Sequence, residues 1–120
     1  MSKVTNPCSN IISLKQAVGM TTEYRNCKDS ILAEGVDPSV LPICETYEKS
    51  DFETLINQTG CVKVRVYFGM KDGKAISTLI VGVNAENEDM ISSTNPAYTD
   101  VILDDAERCP NMCPPPSVLN

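Results

Sequence analysis

One stretch constrains the fold of this 120-residue chain more than any other: residues 61–84, whose pattern is that of a β-hairpin. Between residues 61 and 68 apolar and polar side chains alternate, which is the period of a half-buried strand. The apolar set is Val62, Val64, Val66 and Phe68. The pair Asp72-Gly73 accepts positive φ and reverses the chain. We therefore predict that the first arm of the hairpin buries its apolar face.

The second arm, residues 75–83, is largely apolar on both faces. Leu79, Val81 and Val83 share one face, and Ile76 and Ile80 share the other. Strands covered on two sides read as such continuous apolar runs. We predict that this arm is an interior strand of an antiparallel sheet.

Two helices are expected to pack on the hairpin. Ser13 opens a Ser-x-x-Gln capping box, and the apolar spacing that follows predicts a helix over residues 14–27. Ser50 opens a second box, of the Ser-x-x-Glu type, and predicts a short helix over about residues 51–58.

The remaining segments are short or irregular. Residues 43–47, 90–91 and 101–103 are candidate strands, the last of them at a sheet edge. Residues 1–12 form an irregular N-terminal arm, and residues 109–120 form a tail that holds four of the eight prolines. We predict one α+β domain over residues 1–120, with a small antiparallel sheet centred on the 61–84 hairpin and packed by two helices.

The net charge of −6 is concentrated in the last third, where residues 86–120 carry seven acidic side chains against Arg108 alone. Such a surface repels phosphate backbones, so we expect no nucleic-acid partner. No window approaches the roughly 18 apolar residues of a membrane span, and the start of the chain lacks the apolar segment of a signal peptide. We expect no membrane partner and a cytoplasmic location by default, with export by a signal-independent route left open.

The chain contains no histidine, which excludes the Ser-His-Asp triad and the Cys-His pair. It also lacks the glycine motifs that bind nucleotides and the G-x-S-x-G motif of hydrolases. We expect no enzymatic activity and no bound cofactor.

The six cysteines are the side chains of this chain that could carry chemistry. Cys109 and Cys113 form a C-x3-C pair that can reach one disulfide or one metal ion, and it is not the C-x-x-C of redox enzymes. A zinc site needs further thiolates, such as those of Cys61 and of Cys44 or Cys8. Three readings stay open: a disulfide or free thiols at the tail, a structural zinc at Cys61, Cys109 and Cys113, and thiol redox chemistry.

Lys63, Arg65 and Tyr67 form a basic and aromatic row on the polar face of the first arm. They are the candidate interaction residues of the hairpin. The plainer expectation is that they face solvent or pair with the acidic last third, because opposite charges on neighbouring strands attract.

Short motifs between residues 45 and 113 resemble a set of small uncharacterised proteins from Bacteroidetes-type bacteria. They are NQTGCVKVRVY at residues 57–67, LIVGV at residues 79–83, Ile102-Leu103-Asp104, and Cys109-Pro110-x-x-Cys113. The resemblance implies a bacterial source, and it implies that Cys61, Cys109 and Cys113 belong to one structural feature. It implies no function.

The tail follows a predicted edge strand and precedes three consecutive prolines, which cannot donate hydrogen bonds to a sheet. A loose tail at that place frays and leaves the edge open. We therefore predict that Cys109 or Cys113 is bound to Cys61, at the start of the hairpin.

These observations favour a non-catalytic structural or interaction protein. Its terminal arms bury little within one chain, and such arms are a usual means of docking on a neighbour. We expect protein partners and self-association, in a bacterial homo-oligomer or a larger assembly. The alternative is a small cysteine-based metal-binding or thiol-redox protein.

Overall fold

The computed structural model describes residues 10–71, 75–104, 106–110 and 112–120. It is an α+β fold with two helices, a three-stranded antiparallel sheet and a two-stranded antiparallel sheet, as predicted for the fold class. In chain order the elements are α1 (Leu14–Cys27), β1 (Cys44–Thr46), α2 (Lys49–Ile56), β2 (Lys63–Lys71), β3 (Ala75–Val83), β4 (Ile102–Leu103) and β5 (Glu107–Cys109). Single 3-10 turns lie at Lys28–Ile31 and Pro38–Val40.

The larger sheet is the predicted hairpin with one short strand added. Its order is β2-β3-β4, so β3 is the interior strand, as the apolar pattern of both its faces predicted. Val66 lies opposite Ile80 in the β2–β3 ladder, and Ile80 lies opposite Leu103 in the β3–β4 ladder. Residues that lie opposite each other point to the same face. One face therefore carries the even-numbered residues of β2 and β3, including Val66 and Ile80.

One buried cluster lies on that face, at its β3–β4 side, while Val81 and Val83 are buried on the opposite face of β3. Leu55 of α2 is fully buried and packs with Ile80 and Leu103. Phe52 of α2 and Tyr47, just before α2, pack against the same cluster. This cluster is small, and α2 is the helix that covers it.

The smaller sheet, formed by β1 and β5, was not predicted. Cys44 lies opposite Cys109, and the Ile43 amide donates to the Cys109 carbonyl at 2.8 Å. Glu45 joins the two sheets, because its carboxylate accepts from the Thr78 amide of β3 at 2.9 Å and from the Thr78 hydroxyl. Its other oxygen lies 3.5 Å from Nε of Arg108 in β5.

The first helix has the predicted bounds, and the Ser13 hydroxyl accepts from the amide of Gln16 at 3.1 Å. The second helix begins at Lys49, two residues before the predicted start, and ends at Ile56. Ser50 is therefore not its cap, since the N-cap residue is Glu48 and Ser50 lies inside the helix. The tertiary anchor at Tyr47, whose hydroxyl donates to the Thr78 carbonyl at 2.8 Å, starts the helix earlier than local capping predicts.

The predicted strand at residues 90–91 is only a single bridge, between Val83 and Asp89. The chain reaches it through a turn organised by Asn84, which is buried. The Asn84 side-chain oxygen accepts from the amides of Glu86 and Glu88, and its amide donates to the Tyr98 hydroxyl at 2.8 Å. The side chain of Asn84 therefore supplies the hydrogen-bond acceptor for the backbone amides of this turn.

The two arms differ in what the structure describes. Residues 1–9 of the predicted N-terminal arm lie outside the described residues. The described residues of the C-terminal tail form no helix, and the tail is bound to α1 where Arg25 Nη1 donates to the Leu119 carbonyl at 2.6 Å. Within the described part of the chain, no helix has the length and apolar content to cross a bilayer.

Candidate functional site

The apolar side chains of the first hairpin arm are exposed, which is where the structure departs most from the sequence prediction. Between 42% and 76% of each residue is accessible to solvent. We call this set the β2 apolar row; it consists of Val62, Val64, Val66, Phe68 and Met70. The predicted burial of this face is therefore wrong.

The reason is the size of the covering helix. An eight-residue helix is about 12 Å long, whereas a nine-residue strand extends over about 30 Å. The helix α2 packs on β3 and β4, so its apolar side chains cover Ile80 and Leu103 and leave most of β2 open. A single short helix cannot shield a sheet of this length.

A cleft of about 640 Å³ adjoins the β2 apolar row. Its floor is the sheet, at Val66, Phe68, Ile76 and Ile80, and its opposite wall is formed by residues 41–45 and Tyr24. This volume is in the range of small-molecule and side-chain pockets.

The two tyrosine hydroxyls and the Glu45 carboxylate at the cleft have hydrogen-bond partners within the chain. The Tyr24 hydroxyl donates to the Pro42 carbonyl at 2.7 Å, and the Tyr47 hydroxyl donates to the Thr78 carbonyl at 2.8 Å. Burial is the main cause that raises the pKa of Tyr47, which keeps its hydroxyl protonated. The cleft therefore offers an apolar surface and no free charge to a binding partner.

A second, smaller cleft of about 320 Å³ lies at the other end of the row. It is lined by Val62 and Val64 of the row, by Phe52 and Ile56 of α2, and by Cys61. The apolar surface thus runs from α2 along β2 to the larger cleft.

The backbone edge of β2 is also open. Among the described residues β2 pairs with β3 alone, so alternate N–H and C=O groups along its nine residues face away from the sheet. An open edge beside an apolar face is the surface on which another strand can be added.

The opposite face of β2 carries the predicted polar row, and its partners lie in the acidic last third. Arg65 donates to Asp89 at 2.5 Å and to the Asn87 side-chain oxygen at 2.8 Å, and the Tyr67 hydroxyl donates to Asp89 at 2.5 Å. The hydrogen bond to Asp89 is the main cause that raises the pKa of Arg65 and that of Tyr67. Lys63 is exposed. Arg65 and Tyr67 are thus engaged within the chain.

The cysteines are arranged differently from the prediction. Cys109 and Cys113 form a disulfide with each other, with Cα atoms 4.4 Å apart, and Cys61 is a free thiol. The predicted bond from the tail to Cys61 is therefore wrong. A turn explains the observed pairing, because the Met112 amide donates to the Arg108 carbonyl at 2.8 Å and brings Cys113 back to Cys109.

The structure does not bring together the three cysteines of the alternative zinc site. Cys61 lies at the hairpin start, where its thiol is 3.3 Å from the Lys63 carbonyl, and the other two are bound to each other. Within the part of the chain that is described, no three cysteine, aspartate or glutamate side chains converge as metal ligands.

Comparisons with known proteins add no assignment. The scan against protein-family models gives no match, and the searches of curated proteins and of solved structures give none either. The resemblance to small Bacteroidetes-type proteins therefore stays a prediction, and the function is argued from the geometry.

Sequence reasoning missed the β2 apolar row as a site because it assigned these residues to the core. One signal was present: Phe52, Leu55 and Ile56 are the only apolar side chains of the short helix that directly precedes the hairpin in sequence. Three apolar side chains on a short helix cannot bury both arms of a long hairpin. Their small number, compared with the length of the two strands, indicates that part of the apolar face stays exposed.

Proposed function

We propose that this chain is a non-catalytic structural or interaction protein that binds a protein partner through the β2 apolar row and the open edge of β2. It acts as a subunit of an oligomer or of a larger assembly. The observation that carries the proposal is the exposed row itself, from Val62 to Met70, with a cleft at either end.

Two physical arguments support this function. Monomeric proteins rarely expose contiguous apolar patches larger than a few hundred Å², and larger ones mark binding surfaces. A free strand edge leaves backbone donors and acceptors that another strand can satisfy. Strand addition uses both features at once, since the backbone gives affinity and the alternate side chains give specificity.

The contact surface proposed here differs from the terminal arms expected from the sequence. The C-terminal tail is tied to its own chain by the hydrogen bond between Arg25 and Leu119 and by the pairing of β5 with β1. A tail held in this way offers less to a neighbour than the open strand does. The hairpin is therefore the better candidate for the interface.

Site-specific photo-cross-linking tests the proposal. Phe68 is the most exposed residue of the row, at 76%, so we replace it with p-benzoylphenylalanine in the cell that produces the protein. On irradiation we expect a discrete protein adduct of defined mass. Adding Val66→Lys to the same chain should abolish the adduct, because a charge in the centre of an apolar interface is costly to desolvate.

The matched control places the same photoreactive group at Leu14, which is 63% exposed on α1. This position should give no discrete adduct. If Phe68 and Leu14 give the same diffuse background, the β2 surface has no protein partner and the proposal is wrong.

A second candidate function is thiol–disulfide exchange, favoured by the exposure of Cys113 in the Cys109–Cys113 disulfide, of which Cys109 is buried. Attack by a partner thiolate on the sulfur of Cys113 would form a mixed disulfide and release Cys109 as a thiolate. In a Cys109→Ser variant the step runs in reverse: the free thiolate of Cys113 attacks a disulfide of the oxidised partner, one partner thiolate leaves, and the mixed disulfide stays trapped because Cys109 is not there to resolve it. Cys27→Ser, which keeps the Cys109–Cys113 disulfide, should trap no partner. Absence of any such mixed disulfide would exclude this function.

A further inference from the structure

We propose that the partner is a second copy of this chain, and that two copies pair antiparallel along β2 about a two-fold axis at Val66. The inference rests on the proposed function of the β2 surface and names its occupant. Its product is one six-stranded sheet, in which β2 of each copy becomes an interior strand.

The apolar face of β2 complements itself in this arrangement. A two-fold axis perpendicular to the sheet leaves the apolar faces of both copies on the same side of the joined sheet. The β2 apolar row of one copy therefore lies beside that of the other. Val66 lies opposite Val66, Val64 opposite Phe68, and Val62 opposite Met70. Each exposed apolar side chain of the row thereby has an apolar neighbour across the strands.

Charge selects this register over the neighbouring ones. With the axis at Val66, Lys63 lies opposite Gly69 and Arg65 lies opposite Tyr67, so no two like charges face each other. An axis at Arg65 places two arginines opposite each other. An axis at Tyr67 places a lysine opposite a lysine at each end of the ladder, since residues 63 and 71 are both lysines. Like charges directly opposite are destabilising.

The polar face also gains from the register. Arg65 and Tyr67 of each copy remain attached to their own Asp89. Across the axis each guanidinium meets the tyrosine ring of the other copy, and such pairs attract. Arg65 and Tyr67 therefore occupy the polar face at the centre of the interface. The charge of Arg65 is not left unpaired there, because Asp89 of the same chain binds it.

The two clefts beside the β2 apolar row also come together in this register. The larger cleft adjoins Phe68, and the smaller one adjoins Val64. Because Val64 lies opposite Phe68, the larger cleft of one copy meets the smaller cleft of the other. The side chain of Ile56, which is 42% exposed beside the smaller cleft, is thereby brought toward the larger cleft of the second copy. Both ends of the interface are covered in the same way.

Sedimentation velocity over a concentration series tests the partner. The wild-type chain should move from a species of 13.1 kDa to one of about twice that mass as concentration rises. Val66→Lys should raise the dissociation constant by about tenfold or more, since it places two ammonium groups at the axis. Ile102→Lys, at a residue 46% exposed on the opposite edge strand, is the matched control and should dimerise as the wild type does.

A register-specific cross-link keeps the proposal testable if Val66→Lys fails to fold. In a chain whose Cys8, Cys27, Cys44 and Cys61 are replaced by serine, one batch carries Val64→Cys and another carries Phe68→Cys. The mixture should form an intermolecular disulfide under mild oxidation, because opposite residues have Cα atoms about 4.5–5.5 Å apart. Val64→Cys alone should not, since its two thiols are offset by about 13 Å.

The outcomes separate this inference from the proposed function. A wild-type chain that stays monomeric at every concentration overturns the second copy as partner, and so does cross-linking of Val64→Cys alone as strong as that of the mixture. If Phe68 still gives a photo-adduct with another protein, the proposed function stands and only its occupant changes. A monomer that gives no photo-adduct overturns both.

Discussion

At the scale of single residues, two polar side chains organise the backbone: Glu45 connects segments that are far apart in sequence, and Asn84 organises a local turn. Glu45 is 8% exposed and joins Thr78 of the larger sheet to Arg108 of the smaller one. Asn84 satisfies the turn between β3 and Asp89 through its own side chain. These hydrogen bonds fix the backbone at places that do not belong to the cluster around Leu55.

Replacing Glu45 with alanine should lower the free energy of unfolding by about 3 kcal/mol. The change leaves the Thr78 amide without its acceptor and Arg108 without its counter-ion, and a partly buried charge left alone is costly. Urea denaturation gives the value. Glu48→Ala is the control: Glu48 is exposed and its side chain makes no capping hydrogen bond, so we expect a change within about 0.5 kcal/mol. Equal effects of the two variants would show that Glu45 does not connect the sheets.

The ionisation of Tyr67 should depend on Asp89. The hydrogen bond to Asp89 raises the pKa of Tyr67 above its usual value near 10, so it stabilises the folded state below that pH and is lost as the pH rises through the higher folded pKa. Asp89→Asn should lower the pKa of Tyr67, measured by ultraviolet titration of phenolate. Tyr67→Phe identifies the transition among the four tyrosines. A titration curve that Asp89→Asn leaves unchanged contradicts the hydrogen bond.

At the scale of elements, α2 and β2 have opposite roles although both are rich in apolar residues. The helix α2 covers the β3–β4 side of the sheet with Leu55, which is fully buried. The strand β2 contributes its backbone to the ladder and leaves its apolar side chains open. The buried core and the proposed binding surface therefore lie on neighbouring elements.

Leu55→Ala and Phe68→Ala should separate these roles. Leu55→Ala removes a fully buried side chain and should cost about 3 kcal/mol, within the usual 2–5 kcal/mol for such a cavity. Phe68→Ala, at a residue 76% exposed, should change the stability of the dilute chain by less than about 1 kcal/mol while it weakens association. Thermal denaturation at protein concentrations too low for association measures the stability of both variants. A loss of 3 kcal/mol or more for Phe68→Ala would place that ring in the core.

At the scale of the whole molecule, the proposed pairing of two copies through β2 couples stability to association. A chain that exposes an apolar row in isolation gains stability by pairing, because the partner binds the folded state and not the unfolded one. The stability of the protein then depends on its concentration. The two-stranded sheet and the tail lie outside this interface and contribute to the single chain alone.

The melting temperature should therefore rise with protein concentration. A tenfold increase adds about 1.4 kcal/mol to the stability of a dimer, which corresponds to about 3 °C for two chains of this size. Differential scanning calorimetry over two decades of concentration measures the shift. Val66→Lys, if it folds as a monomer, should melt at one temperature throughout. A wild-type melting temperature independent of concentration contradicts the dimer.

The sequence alone determined the features that depend on nearby residues. The paired strands of the hairpin, the interior position of β3 and the bounds of α1 with its Ser13 cap follow from alternation and capping, both of which act over a few residues; the predicted turn at Asp72-Gly73 lies outside the described residues. The edge strand β4 follows from a short apolar run next to a tail of prolines. These signals are read from one segment at a time.

The tertiary structure alone decided how distant segments share the available partners. It paired β1 with β5, placed Glu45 beside Thr78, bonded Cys109 to Cys113 and left the β2 apolar row exposed. Each of these outcomes is a competition between segments for the same strand edge, the same apolar face or the same thiol. The free energies that settle such a competition arise only after the chain has closed long loops, and a local pattern does not contain them.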